Sequence, residues 1–80
     1  MKISYNPKRN IAYIQLQNSE TTVVSHPLSD DVVVDISADG KIFGIELLNA
    51  NQQLKLDAGM LLVENELTGK CHKINLLAGL

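Results

Sequence analysis

Residues 31–49 read DVVVDISADGKIFGIELLN, and their alternation decides the fold. Val32, Val34 and Ile36 fall on one face of a strand, with Val33 and Asp35 on the other. Beyond Asp39-Gly40, Phe43, Ile45 and Leu47 share one face, while Ile42, Gly44, Glu46 and Leu48 share the opposite one. An Asp-Gly pair suits the left-handed backbone of a two-residue hairpin turn. That loop sets Ile36 opposite Phe43, Val34 opposite Ile45 and Val32 opposite Leu47, so the strongly apolar side chains meet on one face. A four-residue loop, Ser37 to Gly40, keeps the parity but shifts the partners. An odd loop sets apolar residues against polar ones, and burial of one face selects against it. The reverse face carries Val33, Ile42 and Leu48 beside Asp35 and Glu46. A partly apolar reverse face calls for a cover, from the C-terminal segment or from another subunit.

Working outward, Lys2-Ile3-Ser4-Tyr5 alternates as a strand and Asn6-Pro7 ends it with turn chemistry. Ile11 to Leu16 resumes the alternation. Placing Tyr5 opposite Ala12 brings Ile3 to Ile14 and Met1 to Leu16. Lys8, Arg9 and Asn10 then sit at a solvated loop tip. Thr21 to Ser25, rich in β-branched residues, reads as a third strand that His26-Pro27 closes. Up to Leu48 the expectation is an antiparallel meander with short connections.

After Leu48 the pattern changes. Asn49 is placed to cap a short helix over residues 50–54, its side chain accepting from exposed amides. Leu54-Lys55-Leu56 equally suits a strand. Residues 60–67 and 70–77 read as a second hairpin turning at Thr68-Gly69, with His72, Ile74 and Leu76 on one face. A helix over 58–67 is the competing reading. The expected fold class is therefore α+β and predominantly β: one domain over 1–80, with a β-meander to residue 50 and a covering segment over 51–80.

Eighty residues lie near the size where one core is marginal and oligomerisation helps. A formal charge of −2 supplies no long-range attraction for nucleic acid or anionic lipid. The lone Cys71 has no internal disulfide partner, and the N-terminal residues lack the apolar run of a signal peptide. The longest strongly apolar stretch, Met60 to Val63, falls far short of a membrane span. A cytosolic protein is expected, with no nucleic acid or membrane partner.

Several of these features also carry a resemblance. They are Tyr5-Asn6-Pro7, Ala12-Tyr13-Ile14-Gln15-Leu16, Asp35, Asp39-Gly40, and Gly44-Ile45-Glu46-Leu47-Leu48 with Ala50. Over about the first fifty residues the chain resembles a small family of uncharacterised prokaryotic proteins, domain of unknown function 2283. It departs in having Asn6 where the family more often has aspartate, and the last thirty or so residues have no counterpart. The resemblance brings no activity, cofactor or catalytic residue to transfer. It implies a binding role, in the manner of small antitoxins encoded beside toxin-like partners.

No catalytic, metal or cofactor signature stands out. Adjacent strand residues send their side chains to opposite faces, so Cys71 and His72 are wrongly placed for a thiolate–imidazole pair. His26 and His72 show no zinc-ligand spacing. Asp35 and Glu46 share one hairpin face and are the candidate polar site, able to hold a proton, a cation or a basic partner group. Tyr13, Val33, Ile42 and Leu48 are the candidate interface. The leading expectation is a non-enzymatic interaction module that homodimerises or binds a protein partner through the reverse face or a strand edge. The alternative is a small metal-dependent or hydrolytic enzyme using Asp35, Glu46 and a histidine.

Overall fold

A computed structural model describes residues 1–55 and 57–76. Strands β1 (Lys2–Asn6), β2 (Ile11–Gln15), β3 (Val23–Pro27), β4 (Val32–Ser37) and β5 (Ile42–Leu48) form one antiparallel sheet. A four-residue helix, α1 (Ala50–Gln53), and a 3-10 turn (Asp57–Gly59) lead to a separate two-stranded sheet. Its strands are β6 (Met60–Glu64) and β7 (Cys71–Asn75). The class is the predominantly β one expected, with the short helix and the C-terminal hairpin both present. Leu56 and residue 77, parts of the readings above, lie outside the described residues.

The strand order is β1-β2-β5-β4-β3 rather than sequential. The hairpin β1–β2 and the meander β3–β4–β5 are joined so that β2 lies beside β5, a Greek-key arrangement. The β2–β3 connection is fastened where it leaves the sheet. The Phe43 carbonyl accepts from the N–H groups of Leu16, at 2.8 Å, and Gln17, at 3.3 Å. The Gln17 side-chain amide donates to the Ser37 hydroxyl and the Ile42 carbonyl, both at 3.1 Å.

The central hairpin turns through three residues, Ala38 to Gly40. Gly40 N–H donates to the Ser37 carbonyl at 2.9 Å, and Ser37 N–H to the Lys41 carbonyl at 2.8 Å. Gly40 sits at φ +85°, the left-handed residue that such a loop requires. The Asp39 carboxylate accepts from the Ser37 hydroxyl and, at 3.2 Å, from Lys41 N–H. These bonds, the serine's first, hold its pKa below the usual carboxylate value.

A three-residue loop is odd, and alone it would have inverted the faces. The chain restores parity with an irregularity beside Asp35 and Ile36 that leaves Phe43 without a partner on β4. Val32↔Leu47 and Val34↔Ile45 pair as the alternation predicts, whereas Ile36 meets Ile42 instead of Phe43. Ile42 is thereby moved off the reverse face.

In the first hairpin, Ile3↔Ile14 and Tyr5↔Ala12 pair as expected. The Asn6 side-chain oxygen accepts from Lys8 N–H (3.1 Å) and Arg9 N–H (3.2 Å), which explains the turn. The third strand starts later than Thr21 and runs through Pro27, paired with Val33. Proline's missing donor is tolerated there because β3 is an edge strand. Asn49 does not cap α1 with its side chain. It takes φ 48°, and its amide donates instead to Asp31 Oδ1 at 3.1 Å.

Register resolves the sheet into two faces. The front carries one row of Ile3, Ile14, Ile45, Val34 and His26, and a second of Tyr5, Ala12, Leu47 and Val32. A third row holds Val24, Ile36 and Ile42. The back carries Lys2, Gln15, Gly44, Asp35 and Ser25 in one row, and Ser4, Tyr13, Glu46, Val33 and Pro27 in the next.

The front face is apolar but not sealed. Among the described residues the buried hydrophobics are Ala12, Val34 and Ala50 only, and the other large side chains of the first two front rows, His26 apart, are partly buried. Val24 and Ile42 are exposed. A single sheet layer needs a second layer to exclude water from such a face. The hairpin β6–β7 does not complete that layer, for Val63 and Ile74 on its own apolar side are exposed as well.

Candidate functional site

A polar side-chain cluster spanning three strands lies on the back of the sheet. Gly44 in β5 has no side chain, and the ring of Tyr13 from β2 lies across it. A Cβ at Gly44 would stand 2.5 Å from Tyr13 Cζ and closer still to the phenol oxygen. Passing over this gap, the Tyr13 hydroxyl donates to Asp35 Oδ2 on β4 at 2.7 Å. The other Asp35 oxygen accepts from the Ser25 hydroxyl on β3 at 2.6 Å. Strands β2, β4 and β3 are thus tied together by side chains across β5.

Electrostatics suit Tyr13 to donating rather than to chemistry. Burial, the hydrogen bond to Asp35 and the negative charges of Asp35 and Glu46 push its pKa up to about 12. The phenol stays protonated at neutral pH and is a poor base or nucleophile. The arrangement acts as a strap across the sheet.

The sequence-predicted residues fall as follows. Asp35 pairs with Gly44 and Glu46 with Val33, so the two carboxylates are diagonal neighbours on the back face. No histidine joins them there, since His26 is aligned with Val34 on the front and His72 belongs to the C-terminal hairpin. No group of three or more His, Cys, Asp or Glu converges among the described residues. Cys71 is exposed opposite Glu64, while His72 faces Val63 on the other side of β7. Of the candidate interface set, Tyr13, Val33 and Leu48 are on the back face, half-buried, and Ile42 is on the front.

Alternation along the sequence puts Tyr13, Asp35, Gly44 and Glu46 on faces, but not next to each other. The missing information is that β2 neighbours β5. A glycine inside a strand, beside a tyrosine strand of matching parity, is the signal that could have found the strap.

A second polar cluster pins the end of the sheet to α1. Asn10, at φ 55°, donates through its side chain to Asn51 Oδ1 (2.6 Å) and accepts from Asn51 N–H (2.9 Å). Its carbonyl accepts from Ala50 N–H at 3.0 Å. The Gln53 side chain donates to the Asp31 carbonyl (2.9 Å) and to that of Leu48. These bonds bury Ala50 and set the direction in which the chain leaves the sheet.

An open cleft of about 520 Å³ lies beside the C-terminal hairpin, lined by Leu54, Lys55, Ala58, Met60, Leu61, Leu62 and Lys73. No helix among the described residues is long and apolar enough to cross a membrane.

The family model described as protein of unknown function DUF2283 matches residues 2–51, and the chain belongs to that family. No curated protein and no solved structure matches the chain. The matched span covers the whole five-stranded sheet and ends in α1, before the C-terminal hairpin.

Proposed function

We propose that this member of the DUF2283 family is a non-enzymatic interaction module that works as a homodimer, its front sheet face closed by a second copy. The observation that carries the reading is an area. A folded monomer of 8.8 kDa would expose about 4,800 Å². This chain exposes 6050 Å². The excess, roughly 1,300 Å² shared between the open sheet and the separate hairpin, is of the order an obligate homodimer buries on each subunit.

Charge places no obstacle to a second copy on this face. None of the front-face residues placed by the register is Asp, Glu, Lys or Arg. A second copy can approach such a face about a two-fold axis without like-charge repulsion. The enzyme alternative finds no such support, because the Asp35 carboxylate is engaged by Tyr13 and Ser25 and no histidine shares its face. An antitoxin-like role would present the same front face to a foreign partner. The module is proposed to act in the cytosol, where its exposed Cys71 stays reduced.

Matched surface variants test the reading. Ile42→Asp, at an exposed front position, is expected to reduce the solution mass to one chain while keeping the strand signal in circular dichroism. Ser4→Asp, on the back face, is expected to leave the mass unchanged. An Ile42→Asp protein that associates like the wild type would overturn the proposal.

A further inference from the structure

We propose that the β6–β7 hairpin is an exchanged arm, which lays its apolar side on the front face of the partner copy's sheet while the partner's hairpin does the same in return. The inference rests on the homodimer reading and adds to it the element that forms the second layer. Register makes the hairpin two-sided. Leu61, Val63 and Ile74 share one side with His72, whereas the other side mixes Met60 and the exposed Leu62 with Glu64 and Lys73. The apolar side carries no Asp, Glu, Lys or Arg, as the sheet front does not, and Val63 is 49% and Ile74 43% exposed.

Among the described residues, two uncharged apolar surfaces therefore stay open within one molecule. Its shape agrees. The radius of gyration is 13.9 Å, against about 12 Å for a compact domain of this length. Among the described residues, the hairpin's strands pair with each other and form a sheet apart from the five-stranded one.

The connection between them favours exchange over folding back. Lys55 (φ 48°) and Ala58 (φ 53°) hold left-handed backbone that side-chain-bearing residues avoid, followed by Gly59 at φ 73°. Short connections under backbone strain invite the swapping of an element between copies, because the partner supplies the same contacts with the hinge relaxed.

Mixing two damaged proteins tests this. Val63→Glu spoils the arm and Ile42→Lys spoils the sheet, so each alone should sediment as a monomer at concentrations where the wild type is a dimer. Mixed in equal amounts they should recover a dimer containing one of each, since one of its two arm–sheet contacts is then intact. Leu62→Glu, on the charged side of the hairpin, should associate as the wild type does. Val63→Thr, which keeps strand propensity, should raise the dimer dissociation constant by about tenfold. A Val63→Glu protein that remains dimeric overturns the exchanged arm and leaves the homodimer standing. A mixture that restores no dimer also overturns the exchange. A monomeric wild type removes the homodimer reading itself.

Discussion

Tyr13 and Asp35 stand two strands apart, yet their side chains are joined by a 2.7 Å hydrogen bond that passes over the bare backbone of Gly44. The bond needs a tyrosine long enough to cross β5 and a residue beneath it with no Cβ. Its acceptor is steadied from the far side by Ser25. Removing any of these parts should register in stability.

Gly44→Ala is expected to destabilise the protein by about 2 kcal/mol, because the new methyl overlaps the Tyr13 ring and forces it off the sheet. In a Tyr13→Ala background the same change meets no ring. There it should be neutral or stabilising by about 0.5 kcal/mol, alanine being better than glycine in a strand. Urea unfolding of the four proteins measures both effects, and equal costs in the two backgrounds would contradict the overlap.

Tyr13→Phe keeps the ring over Gly44 and deletes only the donor. A loss of about 1 kcal/mol is expected, the value of a half-exposed bond to a carboxylate. Asp35→Asn should remove a similar amount, and the double variant less than the sum of both. Additive losses would mean that the two groups do not act together.

Alkaline titration reads the same contact. The Tyr13 pKa is about 12 in the folded chain against the ordinary 10.0. The folded state therefore holds this proton more tightly than the unfolded state. Its stabilising contribution is complete below the unfolded value and is lost as pH rises through the window up to about 12. Ultraviolet titration of a Tyr5→Phe protein isolates Tyr13. Adding Asp35→Asn should lower the midpoint without restoring the ordinary value, since burial is the first cause of the shift. A midpoint indifferent to Asp35 would contradict the strap.

Gly40 provides a contrast with Gly44. A Cβ at Gly40 would meet nothing within 4 Å, but the residue sits at φ +85°. Gly40→Ala should thus cost about 1 kcal/mol through backbone conformation alone. Gly40→Asn, which tolerates left-handed backbone, should cost less. Equal losses for the two, by thermal unfolding, would contradict that assignment.

Much of this fold was legible in the alternation of residues 31–49. Val32↔Leu47 and Val34↔Ile45 follow from period-two burial, as does the pairing of Ile3 with Ile14. Near the turn, pattern reasoning failed at Ile42, because an odd loop and a bulge cancel one another and leave the distal register intact. Strand order was not legible, since nothing local to Ile11–Gln15 says that it will lie against β5. Without that neighbour, Tyr13 and Asp35 read as separate surface residues. The front face presented a different difficulty. Its apolar rows were legible as a core, but whether a core is closed depends on what lies above it.

Closure of that face is the central claim, and the most direct test is the solution mass of the wild-type chain. Light scattering across a dilution series should give twice the 8.8 kDa of one chain at high concentration, falling toward a single chain on dilution. A mass of one chain at every concentration, with the strand signal intact, would contradict the account.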